Sequence, residues 1–139
     1  SDGTEVVFAC GGGIYLSTTS AAEAANKKVI GVDKDQYFES ETIITSAMKD
    51  LTTSVKLALK DLYATSDKKW PTSLAGKTST LGAADNCVGL PTAKTSWRLT
   101  KFTVAEYEKL FEDVKSGKVK ISNETKTRPE LAIKVDYQN

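Results

Sequence analysis

The chain has 139 residues, about the length of one ordinary domain, and its 40% hydrophobic and 27% charged content excludes intrinsic disorder. Lys and Arg (19) nearly match Asp and Glu (18), so a net charge of +1 creates no global field for nucleic acid or an anionic membrane. Its lack of His excludes Ser-His-Asp and Cys-His triads and most zinc sites, but leaves carboxylate, Lys and Tyr chemistry open.

Glu5-Val-Val-Phe-Ala-Cys10 is short, apolar and β-branched, and predicts a buried strand of a parallel sheet. Gly11-Gly12-Gly13 ends it, and the Ala-rich stretch from Ile14 to Asn26 predicts a helix. Lys28-Val-Ile-Gly-Val32 predicts a second strand ending at Asp33. Strand, helix and strand within about 30 residues make a βαβ unit, and such units are right-handed. A third strand is expected at Thr42–Ser46, and a helix from Leu51 to Ala64 with Leu51, Val55, Leu59 and Leu62 on one face. Trp70-Pro71 closes that helical region.

From Gly76 to Pro91 the chain is rich in Gly, Ser, Thr and Ala, and reads as a hairpin or two short strands turning at Asp85-Asn86. Thr103-Val-Ala-Glu106 is a capping box. Val104, Tyr107, Leu110, Phe111 and Val114 then form the apolar stripe of a last helix, with Gly117 just past its end. Val119–Ile121 and Leu131–Val135 read as edge strands. The fold class expected from this order is α/β with parallel strands.

Two cysteines, Cys10 and Cys87, are too far apart for a CxxC pair, and sequence leaves open whether they form a disulfide. Cys10 ends an apolar run, which favours a buried small hydrophobe. No apolar stretch approaches the ~20 residues of a bilayer span. Ser1-Asp2-Gly3 lacks the basic and apolar regions of a signal peptide, so the expectation is a cytoplasmic protein or a targeting segment outside this chain.

Three features can carry chemistry. Gly11, Gly12 and Gly13 lie between strand and helix, where bare backbone admits a ligand and the helix N-terminus offers free N–H groups. They do not spell GxGxxG, and a plain tight βα turn remains the other reading. Asp33 lies just past a parallel strand, at the end where α/β sheets bind ligands, and its carboxylate suits vicinal hydroxyls. A turn or N-cap Asp is the alternative there, and the same holds for Asp35. Lys49, past the third strand, either donates to a ligand heteroatom or is a solvated Lys at a helix start. The alternating charges of Glu106 to Lys120 read as a solvated helix face. Trp70, Trp97 and Phe102 read as packing residues.

Val6-Val-Phe-Ala-Cys-Gly-Gly-Gly13, Ala21-Ala-Glu-Ala-Ala25, Val29-Ile-Gly-Val-Asp-Lys-Asp-Gln36 and Ile44-Thr-Ser-Ala-Met-Lys49 together resemble a known family. It is that of the basic membrane protein lipoproteins, the purine nucleoside receptor-like substrate-binding proteins of bacterial ABC importers. The resemblance extends through Leu81-Gly82, Val88–Pro91 and Ser116–Lys120, and is densest over residues 5–60.

What the resemblance implies is a type I periplasmic-binding-protein fold, two Rossmann-like lobes around a ligand cleft. The chain is then expected to be the C-terminal portion of such a receptor. Residues 1–46 would be a second-lobe βαβ segment, 47–80 a crossover, and 81–139 the C-terminal strands and helix. By the same resemblance Asp33 would hold ribose hydroxyls, Lys49 would contact the ligand, and one of Gly11, Gly12 or Gly13 would line the site. The implied ligand is a nucleoside, bound by hinge closure without covalent chemistry, metal or cofactor. The implied partner is an ABC permease, and the implied location of the whole protein is extracytoplasmic and lipid-anchored. Exposed sheet edges in such a fragment would favour a homodimer by edge pairing or swapping. The competing readings are a small nucleotide-dependent α/β enzyme and a fragment that only self-associates.

Overall fold

The computed structural model describes residues 3–128 and 130–136. Four strands form one sheet in the order β1 (Val6–Phe8), β2 (Lys28–Asp33), β3 (Ile43–Lys49) and β4 (Val88–Gly89). β1, β2 and β3 run parallel, and β4 is antiparallel to β3. The protein is therefore a mixed α/β, Rossmann-like fold built on a mostly parallel sheet.

Helix α1 (Tyr15–Ala25) follows a 3-10 turn at Gly12–Ile14 and completes the βαβ unit. It ends by a Schellman motif: Asn26 at φ 51° donates to Glu23 O, and Lys27 N–H donates to Ala22 O. Its Ala22 packs with Ala9, Val29 and Ile43, and Tyr15 leans on this cluster. The core is small because the helix presents alanines where larger side chains would bury more area.

The β2/β3 register slips once. Val29 pairs with Ile43 and Ile30 with Thr45, so Ile44 is the extra residue. Its carbonyl accepts from Arg98 N–H (3.2 Å). The Arg98 guanidinium donates to Ser40 O and Ile43 O (2.9 Å each), which ties the 92–98 loop to the start of β3.

Helix α2 (Leu51–Ala64) spans the residues its periodicity predicts. Asp50 caps it, accepting from Thr53 N–H and Thr53 Oγ1 (2.7 Å each). Yet none of its residues is buried, and Leu51, Val55 and Leu59 are exposed by 66, 56 and 41%. Those three residues of its apolar stripe are largely bare, while Leu62 at the far end is half-buried. Helix α3 (Val104–Lys115) begins with the expected capping box between Thr103 and Glu106 and is followed by Gly117 at φ 76°. Trp97, Phe102, Tyr107 and Phe111 form a chain of ring contacts at 5.7–6.0 Å, so Trp97 and Phe102 are packing residues.

Hydrogen bonds from Thr53 hold the Asp50 carboxyl below the ordinary carboxylate range, and those from Thr103 do the same for Glu106. A depressed pKa contributes stability above the ordinary value and loses it as pH falls through the lowered one. Circular dichroism at 222 nm between about pH 6 and pH 2 is expected to show helix fraying below about pH 4. Constant helicity across that range would contradict this role of the caps.

Four expectations are corrected. β1 is exposed, with Phe8 at 53%, because it is an open sheet edge and not an interior strand. Cys10 is exposed too, since β1 ends before it and it enters the Gly-rich turn; Cys10 and Cys87 are both free thiols. The Gly76–Pro91 region makes no hairpin with itself. It contributes a 3-10 turn at Ala83–Asp85, a left-handed Asn86 and β4, whose partner is β3. Val119–Ile121 and Leu131–Val135 form no strands, and Ile121 and Ile133 are exposed by 75 and 72%. A strand exists through its ladder, and neither segment pairs with a sheet edge.

Candidate ligand-binding site

Asp33 is the last residue of β2 and Lys49 the last of β3. Adjacent parallel strands thus deliver a carboxylate and an ammonium to the same end of the sheet, the end where open α/β sheets bind ligands. Lys49 Nζ lies 2.8 Å from Asp33 Oδ1. The hydrogen bond and charge of Asp33 push the Lys49 pKa up, with a smaller push from Cys10.

The ion pair is open to water, with side-chain exposures of 66% for Lys49 and 46% for Asp33. Exposed pairs stabilise folds little, so its placement speaks for a site more than for stability. Both residues line an open groove of about 700 Å³ with Asp35, Leu90, Tyr107 and Phe111. Tyr107 is fixed there because its hydroxyl accepts from Leu90 N–H (2.8 Å). Asp35 is occupied, accepting from Ser96 Oγ (2.5 Å) and Tyr37 N–H (3.2 Å), which makes it a loop clamp as its turn reading expects.

Gly11, Gly12 and Gly13 lie outside the lining of this groove. Gly12 takes φ 51°, a conformation that favours glycine. A Cβ on Gly13 would meet open space, so the turn presents bare backbone. No side chain caps the 3-10 turn or α1 that follows it.

Two residues inside the recognised motifs carry a role that the sequence reading missed. Gln36 is 3% exposed, and its Oε1 accepts from Val32 N–H (2.9 Å). Ser46, fully buried, accepts from Gln36 N–H (3.1 Å). The signal was present as a Gln and a Ser among apolar strand residues, since a buried polar side chain must find partners. Tyr107 was visible only as one member of a helix stripe. Among the described residues, no group of three or more Cys, Asp or Glu side chains converges as a metal site. No helix among them is long and apolar enough to cross a membrane.

Comparison with known families matches residues 1–132 to the Bmp family, described as ABC transporter substrate-binding protein PnrA-like. The chain belongs to the Bmp family. No curated protein matches it. Membership gives this Bmp chain a substrate-binding role in an ABC transporter, a role that implies a small-molecule ligand and a permease partner. The family is one of binding proteins and not of enzymes, generally extracytoplasmic and often lipid-anchored.

Proposed function

We propose that this Bmp chain carries the second-lobe half of a nucleoside site. Asp33 accepts the vicinal ribose hydroxyls, Lys49 donates to a ligand heteroatom, and the Gly11–Gly13 backbone allows close approach. The observation that carries this reading is the Asp33–Lys49 pair at the carboxyl ends of β2 and β3, inside an open groove. A carboxylate already accepting a charged donor can exchange it for two hydroxyl donors, with Lys49 released to the ligand. Binding and hinge closure account for the function without covalent chemistry.

In the same reading residues 1–46 belong to the second lobe, 47–80 cross toward the first, and 81–139 supply the C-terminal strands and helix. The whole receptor is lipid-anchored outside the cytoplasmic membrane. Supporting it are the uncovered apolar face of α2, the open edge of β1, and an apolar groove of about 920 Å³ between β4 and α3. In the whole receptor the first lobe would cover such surfaces, and in this chain by itself a second copy takes its place as a homodimer.

Calorimetric titration of the whole receptor with inosine, guanosine and adenosine tests the site. Asp33→Ala is expected to weaken binding about 100-fold, the ~2.7 kcal/mol of charge-assisted hydrogen bonds to the ribose. The 139-residue chain alone is expected to bind weakly and to sediment as a dimer. Unchanged affinity in Asp33→Ala would sink the assignment, and turnover of a nucleoside would make the protein an enzyme instead.

A further inference from the structure

Asp33 stands in an uncommon conformation. Its φ is 68°, and Lys34 N–H donates to Val32 O (2.8 Å) across it. That bond closes a γ-turn centred on Asp33, and the positive-φ form of this turn is rare and strained. Asp tolerates the left-handed region better than most residues, but the conformation persists only where neighbouring structure overdetermines it. Strain of this kind gathers at functional sites, so what maintains it bears on function.

We propose that Gln36, backed by Ser46, is the positioning residue for the Asp33 carboxylate: a buried hydrogen-bond lock that holds the γ-turn and so aims Asp33 at Lys49 and the groove. The proposal rests on the ligand reading of Asp33 and adds to it. The lock closes the loop on itself. Gln36 Oε1 takes the N–H of Val32, the residue before Asp33, while Gln36 itself lies three residues beyond Asp33 in sequence. Its own N–H is tied to Ser46 Oγ on β3, so the loop is fastened both to β2 and to the neighbouring strand.

Gly31 makes the space. A Cβ there would collide with Gln36 Oε1, and would approach Ser46 Oγ to 2.8 Å. Asp35 pins the outer side of the loop through Ser96, itself 1% exposed. The polar atoms of the lock are buried and mutually satisfied. Removing one orphans a partner, and the strained turn relaxes toward an ordinary conformation. The motif Gly31-Val-Asp-Lys-Asp-Gln36 with Ser46 thus has a mechanical reading. Glycine admits the glutamine, the glutamine holds the turn, and the turn presents the aspartate.

The test is a coupling measurement on the 139-residue chain without ligand. Lys49 side-chain NMR signals are followed through its alkaline titration, with and without Asp33→Asn. In the native background Asp33→Asn is expected to lower the Lys49 midpoint. In a Gln36→Leu background, which keeps the volume and removes the acceptor, the same substitution is expected to have no effect. Gln36→Glu, which keeps an Oε acceptor, is expected to restore it. If Gln36→Leu does not fold, Ser46→Ala serves as the milder variant, with about half the coupling lost. The amide spectrum of α3 reports folding independently. Full coupling in folded Gln36→Leu, or in folded Ser46→Ala, overturns the lock. In the whole receptor, Gln36→Leu is then expected to weaken nucleoside binding about 10-fold. The titration contains no nucleoside, so the two readings fail separately. Loss of coupling with unaltered binding in Asp33→Ala refutes the ligand role alone, and intact coupling refutes the lock alone.

Discussion

Gly31→Ala is expected to destabilise the fold by about 2 kcal/mol, within the range for overpacking a filled interior. The added methyl has nowhere to go. Gln36 Oε1 and Ser46 Oγ occupy its place, and Gln36 Cβ lies 3.3 Å away. The glutamine tip could swing aside, but only by surrendering the Val32 N–H it accepts from, at a site where both side chains are buried. Loss therefore falls on the lock as well as on stability. Urea unfolding followed by fluorescence should show a lower midpoint with an unchanged slope. Gly31→Ser should be at least as damaging, since its hydroxyl is larger still. A midpoint within experimental error of the native value in Gly31→Ala would show that the loop has room to yield.

Ile43→Ala is expected to cost about 3 kcal/mol, a large share of the roughly 5–15 kcal/mol that holds an ordinary domain folded. Ile43 is fully buried and faces Val29 across the β2/β3 pair. The buried cluster around it is Ala9, Ala22 and Val29, of which two are already alanines, with the half-buried Tyr15 packed on its edge. Few atoms can move in to fill the space left by the lost methylene and methyl groups. The backbone around Ile43 is meanwhile held by Ser40, whose carbonyl accepts from its N–H (3.2 Å), and by Arg98, so collapse onto the cavity is resisted. Ile43→Val removes one methylene and should cost only about 1 kcal/mol. Thermal unfolding by circular dichroism compares the pair. Equal loss in the two variants would mean that cavity size is not what sets the cost.

The βαβ unit, α2 and α3 were legible because each is written in a short window. A run of β-branched residues bounded by Gly, a 3.6-residue stripe after a cap, and a Thr103–Glu106 box need no distant partner to be recognised. Asp33 and Lys49 were legible as candidates for the same reason: each stands at or just past the end of an expected strand of a parallel sheet. Their 2.8 Å approach was not, because it depends on β2 and β3 being neighbours in a register that slips at Ile44.

Burial and pairing were decided elsewhere in the chain. Val6–Phe8 reads as an interior strand, yet it lies at an open edge, and no local pattern tells an edge strand from a central one. The α2 stripe is amphipathic by sequence, yet Leu51, Val55 and Leu59 are bare in the fold, since periodicity says which face is apolar and not what covers it. β4 pairs with β3 across a long stretch of chain, where a local hairpin looked equally good. Gln36 and Ser46 meet under Asp33 only because Gly31 leaves a hole between two strands. Local propensity and patterning therefore specified the elements and the chemical groups at their ends. Contacts between residues distant in sequence set strand order, burial and the aim of the carboxylate, because these depend on which surfaces find each other when the chain closes.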